Sequence, residues 1–266
     1  MTADLVAIIL ARGGSKGVPD KNLRSVGGKT LVQRSIDSAS SAFGASRVFV
    51  SSDSDAILSA SRAAGVGVIR RPAELSTDSA TSESALSHGL DLLCKTHGLN
   101  PKVLAFLQPT SPFVLPASLE AGFRKVLSGQ FDCVFSAAES HKFLWKIHDG
   151  LAVELNHRHQ VRLRRQERSK EFEETGAFYF MNAEMFRTLG HRFFGRIGVQ
   201  IVPAWTSIDI DEERDFAVAA ATLALPEYIE SGLDAIDGQL GLVSLTSADQ
   251  SLVLPPPAID SYPGGS

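Results

Sequence analysis

Short apolar runs of strand length alternate with apolar positions at helical spacing over the first half of the chain. Leu5–Leu10 is a continuous apolar run, and Val32, Ile36 and Phe43 then recur, with Ala39, on one helix face. The pattern continues with predicted strands over 47–51, 66–69 and 103–107. Three more helices are predicted between and after them: one is capped by Ser52 or Asp53 and ends at Gly65, one spans 82–96, and one begins at Pro116. This order predicts right-handed βαβ units, and therefore an α/β fold with a mostly parallel sheet and helices on both faces.

The alternation breaks in the middle of the chain. Two apolar runs, 143–147 and 151–155, flank Asp149-Gly150, and Asp-Gly between such runs predicts a hairpin. We expect this hairpin and the charged stretch after it to form an arm inserted into the fold at about residues 140–172. A strand over 176–181 and a final helix over 211–223 follow. Because the pattern decays after Pro226, we expect one domain over 1–225 and a poorly packed tail over 226–266.

Composition narrows the class of protein. The 266 residues are 44% hydrophobic and 21% charged, which is typical of a globular protein. A net charge of −4 argues against broad nucleic-acid binding, and the apolar runs are far shorter than the roughly 18 residues of a membrane span. The first residues do not resemble a secretory signal, and Cys94 and Cys133 lack metal-binding spacing. We therefore expect a cytoplasmic protein that binds neither nucleic acid nor membrane.

A glycine-rich basic loop follows the first predicted strand. It reads Arg12-Gly13-Gly14-Ser15-Lys16-Gly17 and leads to Lys21-Asn22. Backbone N–H groups of such a turn converge on phosphate oxygens, and the basic side chains add charge-assisted donors. The spacing matches neither a Walker loop nor a dinucleotide fingerprint. Its position at the end of the first strand of an α/β sheet favours phosphate binding over a merely solvated turn.

A pair of aspartates precedes the last predicted helix. In a strand over 207–211, Asp209 and Asp211 share one face, and carboxylates so close repel unless a cation lies between them. Hard oxygen ligands of this kind suit Mg²⁺. Helix capping is the alternative, and it explains Asp211 well but Asp209 poorly.

Two further segments are ambiguous when taken alone. Arg162-Leu163-Arg164-Arg165 is a basic cluster that either binds an anion or is solvated surface. Gln108-Pro109-Thr110-Ser111-Pro112 follows the fourth predicted strand and is, by itself, only a turn.

In order along the chain, these segments resemble the acylneuraminate cytidylyltransferases, which activate sialic acids as CMP-sugars. The resemblance covers about residues 5–224. It implies a Rossmann-like nucleotidyltransferase fold, CTP and an acidic nine-carbon sugar as substrates, Mg²⁺ as cofactor, and an arm that makes a homodimer or a tetramer. The segments that carry it are 11–22, Arg70-Arg71 with 78–82, Gln108-x-Thr110-Ser111-Pro112, Arg162-x-Arg164-Arg165-Gln166, 175–180, and Asp209-x-Asp211.

The resemblance also implies roles for single residues. Arg164, Lys21 and Asp211 would be catalytic, and Asp209 and Asp211 would hold Mg²⁺. At Ala80 some members place a serine that contacts substrate, so one hydrogen bond is in doubt. The residues implied to bind the substrates are Arg12, Gly13, Ser15, Lys16, Asn22, Arg71, Ser82, Gln108 and Arg165, with Lys142, Tyr179, Phe193 and Phe194 in the sugar pocket.

Two alternatives stay open at this point. The first is activation of another keto-sugar acid, such as legionaminic, pseudaminic or 3-deoxy-octulosonic acid. The last is disfavoured because its enzymes open with a loop of different composition. The second alternative is a nucleotide-binding protein without turnover, against which the paired aspartates argue.

Overall fold

Seven strands form one sheet at the centre of the residues described by the computed structural model, 4–14 and 17–234. One strand of the sheet runs antiparallel to both of its neighbours, and all other neighbouring strands are parallel to each other. The predicted mostly parallel sheet is therefore confirmed. In spatial order the strands are β11 (Ile197–Val202), β7 (Cys133–Ser140), the antiparallel β10 (Glu171–Asn182), β6 (Val103–Leu107), β1 (Leu5–Leu10), β4 (Val48–Ser52) and β5 (Gly67–Arg70). Two short strands, β2 (Ser25–Val26) and β3 (Lys29–Thr30), pair with each other outside this sheet.

Helices cover both faces of this sheet, as predicted. Successive β1 side chains enter opposite cores. Ala7 and Ile9 pack with α1 (Leu31–Phe43) and α4 (Pro116–Leu127), whereas Val6 and Ile8 pack with α3 (Ser82–His97) and α5 (Ala183–Leu189). Burial on both faces explains why this strand is a continuous apolar run. None of the described helices is long and apolar enough to cross a bilayer. The helices are α1 (Leu31–Phe43), α2 (Asp55–Ala63), α3 (Ser82–His97), α4 (Pro116–Leu127), α5 (Ala183–Leu189), α6 (Glu213–Thr222) and α7 (Pro226–Ser231).

The start of α2 differs from the prediction. Ser54, and not Ser52 or Asp53, is the N-cap, and its hydroxyl accepts a hydrogen bond from the Ile57 N–H. The Asp53 carboxylate instead accepts a hydrogen bond of 2.9 Å from the Gly13 N–H. A side chain predicted to cap a helix therefore holds the glycine-rich loop.

The predicted hairpin is present as β8 (Trp145–His148) and β9 (Leu151–Glu154). Asp149 and Gly150 both have positive φ, at 51° and 77°, which matches the right-handed twist of the strands in a two-residue turn. The strands are shorter than predicted. Phe143 lies outside them and packs its ring against the guanidinium groups of Arg162 and Arg168 at 4.3 and 4.2 Å.

The strand predicted over 207–211 is wrong. After Val202 the chain passes through a 3-10 turn and then runs irregularly to α6. The Ile210 N–H bonds the Thr110 carbonyl oxygen at 2.9 Å, and the Ile210 side chain is fully buried. This anchor into the core, rather than a strand ladder, leaves Asp209 and Asp211 facing outward on either side of Ile210.

The boundary predicted at 225 also needs correction. Residues 226–231 form α7, and Tyr228 and Leu233 are buried in the core cluster that contains Ile210 and Phe113. The compact unit ends at Leu233. The rest of the predicted tail, residues 235–266, lies outside the described residues.

We expect Tyr228→Ala to lower the free energy of unfolding by about 3–5 kcal/mol, as for other large buried aromatic side chains. Tyr228 packs edge-on against Phe113 at 5.4 Å, and its hydroxyl accepts a hydrogen bond from the buried Arg34 at 3.1 Å. Denaturant unfolding checks this. The matched control is Ile229→Ala in the same helix, which is 68% exposed and should change stability by no more than about 0.5 kcal/mol. If Tyr228→Ala lowered the free energy of unfolding no more than Ile229→Ala does, the packing of Tyr228 would contribute nothing to stability.

Candidate active site

A cavity of about 290 Å³ opens at the carboxyl ends of β1, β5 and β6. Loops after parallel strands end together at this edge, which is where open α/β sheets bind their ligands. Residues from five separate segments of the sequence meet here. Of the residues predicted from the sequence, the cavity is lined by Arg12, Lys21, Asn22, Arg71, Ser82 and Gln108.

Two arginines give the cavity its positive charge. Arg71 follows β5, is 6% exposed, and donates from Nη2 to the Ser51 carbonyl oxygen at 3.1 Å. Burial lowers the pKa of its guanidinium, which remains charged at neutral pH. Its Nε is buried and has no hydrogen-bond partner among the described residues. Arg12 is paired with Asp78 at 2.8 Å across the mouth of the cavity.

The glycine-rich loop is held at its first peptide unit, between Arg12 and Gly13. Asp53 accepts from the Gly13 N–H, and the Asn22 side chain donates to the Arg12 carbonyl oxygen at 2.9 Å. The Asn22 Oδ1 atom is buried and unpartnered within the described part of the chain. A Cβ at Gly17 would collide with the Asp211 carbonyl oxygen, so only glycine lets the loop approach this segment. The predicted ligands Ser15 and Lys16 lie outside the described residues.

Lys21 joins the cavity to the aspartate pair. Its ammonium donates to the Ile210 carbonyl oxygen at 2.6 Å and to the Asp211 carboxylate at 3.1 Å. The residue Asp209 as a whole is exposed, but desolvation of its carboxyl group raises the pKa of that group. The charge of Asp211 also raises this pKa, whereas the Thr110 side chain and the charge of Lys21 act to lower it. The two carboxylates and the ammonium therefore form one charged cluster, in which Lys21 already supplies a cation.

The capping alternative for Asp211 is not supported by the geometry. Helix α6 begins after Glu212, and the Asp215 carboxylate accepts from the N–H groups of Asp211 and Glu212 at 2.9 and 2.7 Å. These two hydrogen bonds lower the pKa of Asp215. Asp215 is therefore the capping carboxylate, and the side chain of Asp211 is directed to Lys21.

The aspartate pair fits a magnesium ion. Mg²⁺ is commonly held by one or two carboxylates and completes its octahedron with water and substrate phosphates. Asp209 and Asp211 provide such a pair beside a cation-lined cavity. Within the residues that the structure covers, no three acidic, histidine or cysteine side chains cluster as a complete metal cage. The arrangement thus suits a cation that arrives with a phosphate ligand.

The predicted residues of the arm do not line the cavity. Arg164 and Arg165 are exposed at a short 3-10 turn beyond the hairpin, and the Arg164 N–H is bonded to Glu167 at 3.0 Å. Lys142, at the base of the arm, pairs with Glu173 at 2.8 Å. The resemblance thus assigned Arg164, Arg165 and Lys142 to the substrate site, whereas within one chain these three residues lie outside the cavity.

The predicted aromatic residues lie behind the cavity. Tyr179 stacks on the cavity-lining Phe106 at 5.4 Å and meets Phe193 edge-on at 6.0 Å. Phe194 is 6% exposed and belongs to the core. These rings form an apolar wall next to a polar cavity.

Sequence reasoning missed three residues that organise the site. Asp53 holds the glycine-rich loop, Asp78 pairs with Arg12, and Thr110 accepts a hydrogen bond from the Ile210 N–H through its carbonyl oxygen. Thr110 was quoted only as part of a turn and within a segment of the resemblance, with no role of its own. A polar residue within three positions of the end of a predicted strand was the available signal for Asp53 and Thr110 alike.

The sheet order and the cavity at the strand ends define an α/β protein of the Rossmann-like nucleotidyltransferase type. The solved structure of CMP:2-keto-3-deoxy-manno-octonic acid synthetase complexed with CTP superposes with a TM-score of 0.63 at 16% identity, over 84% of this chain and 99% of that one. A 4-diphosphocytidyl-2C-methyl-D-erythritol synthase from Anaerococcus prevotii gives 0.58 at 16% identity, over 82% and 95%. The predicted fold class is confirmed.

The family follows from the sequence comparison. A family model described as cytidylyltransferase matches residues 6–204, and the chain belongs to this family. N-acylneuraminate cytidylyltransferase B of Danio rerio is 32% identical over 223 residues, 80% of this chain and 50% of the relative. The N-acylneuraminate cytidylyltransferase of Streptococcus agalactiae serotype V is 32% identical over 217 residues, 79% and 51%. The chain thus spans about half the length of these curated relatives.

Proposed function

We propose that this protein transfers CMP from CTP to an N-acylneuraminate or a closely related acidic nine-carbon sugar and releases pyrophosphate. The observation that carries the proposal is the cavity at the strand ends, which Arg12, Lys21 and the buried Arg71 line together. Three cationic side chains around one cavity suit a polyanion such as a nucleoside triphosphate. The names of the relatives at 32% identity support the choice of sugar.

The chain's own residues supply positioning and charge. The anomeric hydroxyl of the sugar attacks the α-phosphorus of CTP, and pyrophosphate leaves, so negative charge shifts onto phosphate oxygens. Arg12 and Arg71, which line the cavity, would hold these oxygens through paired N–H donors. Lys21, at the junction of the cavity and the aspartates, neutralises charge beside them. Asp209 and Asp211 would hold Mg²⁺, which when bound adds positive charge to the reacting phosphates.

The Arg12–Asp78 pair has a role in this scheme. In the ligand-free chain Asp78 neutralises Arg12, and both side chains are partly exposed, at 35% and 46%. A triphosphate competes for the same guanidinium, so its binding exchanges one anion for another rather than leaving a cation unpaired. The Arg12 guanidinium is therefore paired with an anion both before and after substrate binds.

The test is pyrophosphate release from CTP with Mg²⁺, measured without sugar and with a panel of acids. The panel contains N-acetylneuraminic, legionaminic, pseudaminic and 3-deoxy-octulosonic acids. Release that depends on N-acetylneuraminic acid supports the proposal. Preference for another acid would select the first alternative. CTP binding without release for any acid would select a nucleotide-binding protein without turnover.

We further propose that the arm, over about residues 140–172, forms a homodimer. An isolated two-stranded hairpin is marginally stable in water unless another surface covers it. This hairpin and its flanks expose an unusual number of large apolar side chains for one short segment. They are Leu144, Trp145, Ile147, Leu151, Leu155, Val161, Leu163 and Phe172.

We expect Ile147→Asp to weaken the dimer by about a hundredfold or more, because an interface cannot desolvate the new carboxylate without cost. Ile147 is 73% exposed in the single chain, so the substitution leaves the fold of the monomer unchanged. Sedimentation equilibrium measures the effect. Ile229→Asp, 68% exposed on α7, is the matched control and should leave the association state as in wild type. A dimer that survives Ile147→Asp would exclude the hairpin face as the dimer interface. A tetramer in the wild-type protein would show that the dimer associates further.

We place this reaction in the cytoplasm. Cys94 and Cys133 are both free thiols, which suits a reducing compartment. Cys133 is buried, and burial raises the pKa of its thiol, so it behaves as an unreactive core residue.

A further inference from the structure

An ion pair lies where the cavity meets the aromatic wall. Arg192, in the loop between α5 and β11, donates from Nε to the Glu83 carboxylate at 2.7 Å. Both side chains are mostly shielded, at 18% and 22% exposure. Burial acts to raise the pKa of Glu83, but the hydrogen bonds from Arg192 and from the Glu83 backbone, together with the charges of Arg192 and His191, lower that pKa. Both partners therefore remain charged at neutral pH.

Arg192 also covers two aromatic rings. Its guanidinium carbon lies 4.6 Å from the ring centre of Tyr179 and 5.1 Å from that of Phe106. Phe106 is stacked on Tyr179, and the Tyr179 hydroxyl donates to Glu174. A planar guanidinium stacks on rings while it donates sideways to a carboxylate, and an ammonium group cannot combine these two contacts.

The pair connects two parts of the site that are distant in sequence. Glu83 is adjacent to Ser82, which lines the cavity at the start of α3. Arg192 is adjacent to Phe193, whose ring meets Tyr179. One hydrogen bond thus ties the helix beside the nucleotide cavity to the aromatic wall behind it.

We propose that Arg192, oriented by Glu83, is a positioning residue. It holds the Tyr179–Phe193 wall at the distance from the cavity that binding of the sugar acid requires. This inference rests on the proposed function and deepens it, because it assigns a determinant of sugar recognition. The pair acts through the aromatic rings, so it affects the sugar more than the nucleotide. A salt bridge that only stabilises the fold would affect both substrates equally or neither.

The experiment compares Arg192→Lys, Glu83→Gln and the double variant with wild type in steady-state pyrophosphate release. We expect each single variant to raise the KM for the sugar by about tenfold, with the KM for CTP changed by less than about twofold. Because the two residues act through one contact, the double variant should be no worse than the poorer single one. Arg196→Lys is the matched control. Arg196 pairs with Asp132 at 3.2 Å near the amino end of β7, and its substitution should leave both KM values as in wild type.

Thermal unfolding of each variant separates positioning from loss of fold. Variants that fold as wild type and show the raised KM for sugar alone support the inference. Folded variants with an unchanged KM for sugar, or with both KM values raised equally, overturn it while the proposed function stands. A wild-type protein that releases no pyrophosphate with any acid overturns the proposed function itself, and the inference with it.

Discussion

Asp211→Asn is expected to lower kcat/KM by about two to three orders of magnitude while the protein remains folded. Asparagine keeps the size of the side chain and one oxygen, but it removes the charge that would hold the metal ion. Asp211 is 72% exposed on its side chain, and its ion pair with Lys21 is partly solvated, so little stability depends on it. Pyrophosphate release over a range of Mg²⁺ concentrations measures the effect, and excess Mg²⁺ should restore part of the lost rate.

Asp215→Asn is the control for this prediction. Asp215 lies four residues further along, and its carboxylate accepts two backbone N–H groups at the start of α6. Its substitution should cost about 1 kcal/mol of stability, as for other capping residues, with turnover close to wild type. If Asp211→Asn turned over normally at limiting Mg²⁺ as well, the proposed metal site would be wrong.

Arg164→Ala is expected to reduce turnover more severely than Arg164→Lys, which itself should lose about tenfold or more. The proposed role is contact with a substrate anion as charge shifts in the transition state. Arg164 is exposed on the arm and does not line the cavity of its own chain. We therefore expect it to reach the cavity of the partner in the homodimer. CTP affinity without sugar, measured by calorimetry, should change much less than turnover.

Mixing two inactive variants tests this arrangement across the dimer. Lys21→Met damages the cavity, and Arg164→Ala damages the arm. In a mixed dimer one cavity has both Lys21 of its own chain and Arg164 of the partner, so random exchange should restore roughly a quarter of wild-type activity. No recovery after subunit exchange would place Arg164 in the cavity of its own chain. Normal turnover by Arg164→Ala alone would return the arginine cluster to solvated surface.

Local sequence signals predicted those elements whose stability is decided over a few residues. β1 and β6 have the predicted bounds, and the buried face of α1 contains all four predicted positions. The Asp149-Gly150 turn has the positive φ angles that its residue types favour. In each case hydrophobic spacing or turn chemistry acts within one element, so no distant partner is needed to interpret it.

Elements that depend on distant partners were missed or misassigned. β7 and β11 have no strong local pattern; β7 is stabilised by pairing with β10 and β11, and β11 by pairing with β7. The segment 207–211 alternates like a strand but is held by Ile210 in the core and by Thr110, about a hundred residues earlier. Tyr228 lacks a recognisable motif, and its burial against Phe113 became visible only in the fold.

The candidate site divides along the same line. The sequence by itself determined which chemical groups are available: a glycine-rich loop with basic residues, a pair of aspartates, and polar residues after several strands. The tertiary structure decided which of them meet. It brings Arg12, Lys21 and Arg71 to one cavity, directs Asp211 to Lys21 instead of a helix cap, and leaves Arg164 on an arm outside that cavity. The physical reason is that residue type and short-range spacing set the chemistry of a group, whereas its neighbours are set by strand pairing and core packing between segments far apart in the chain.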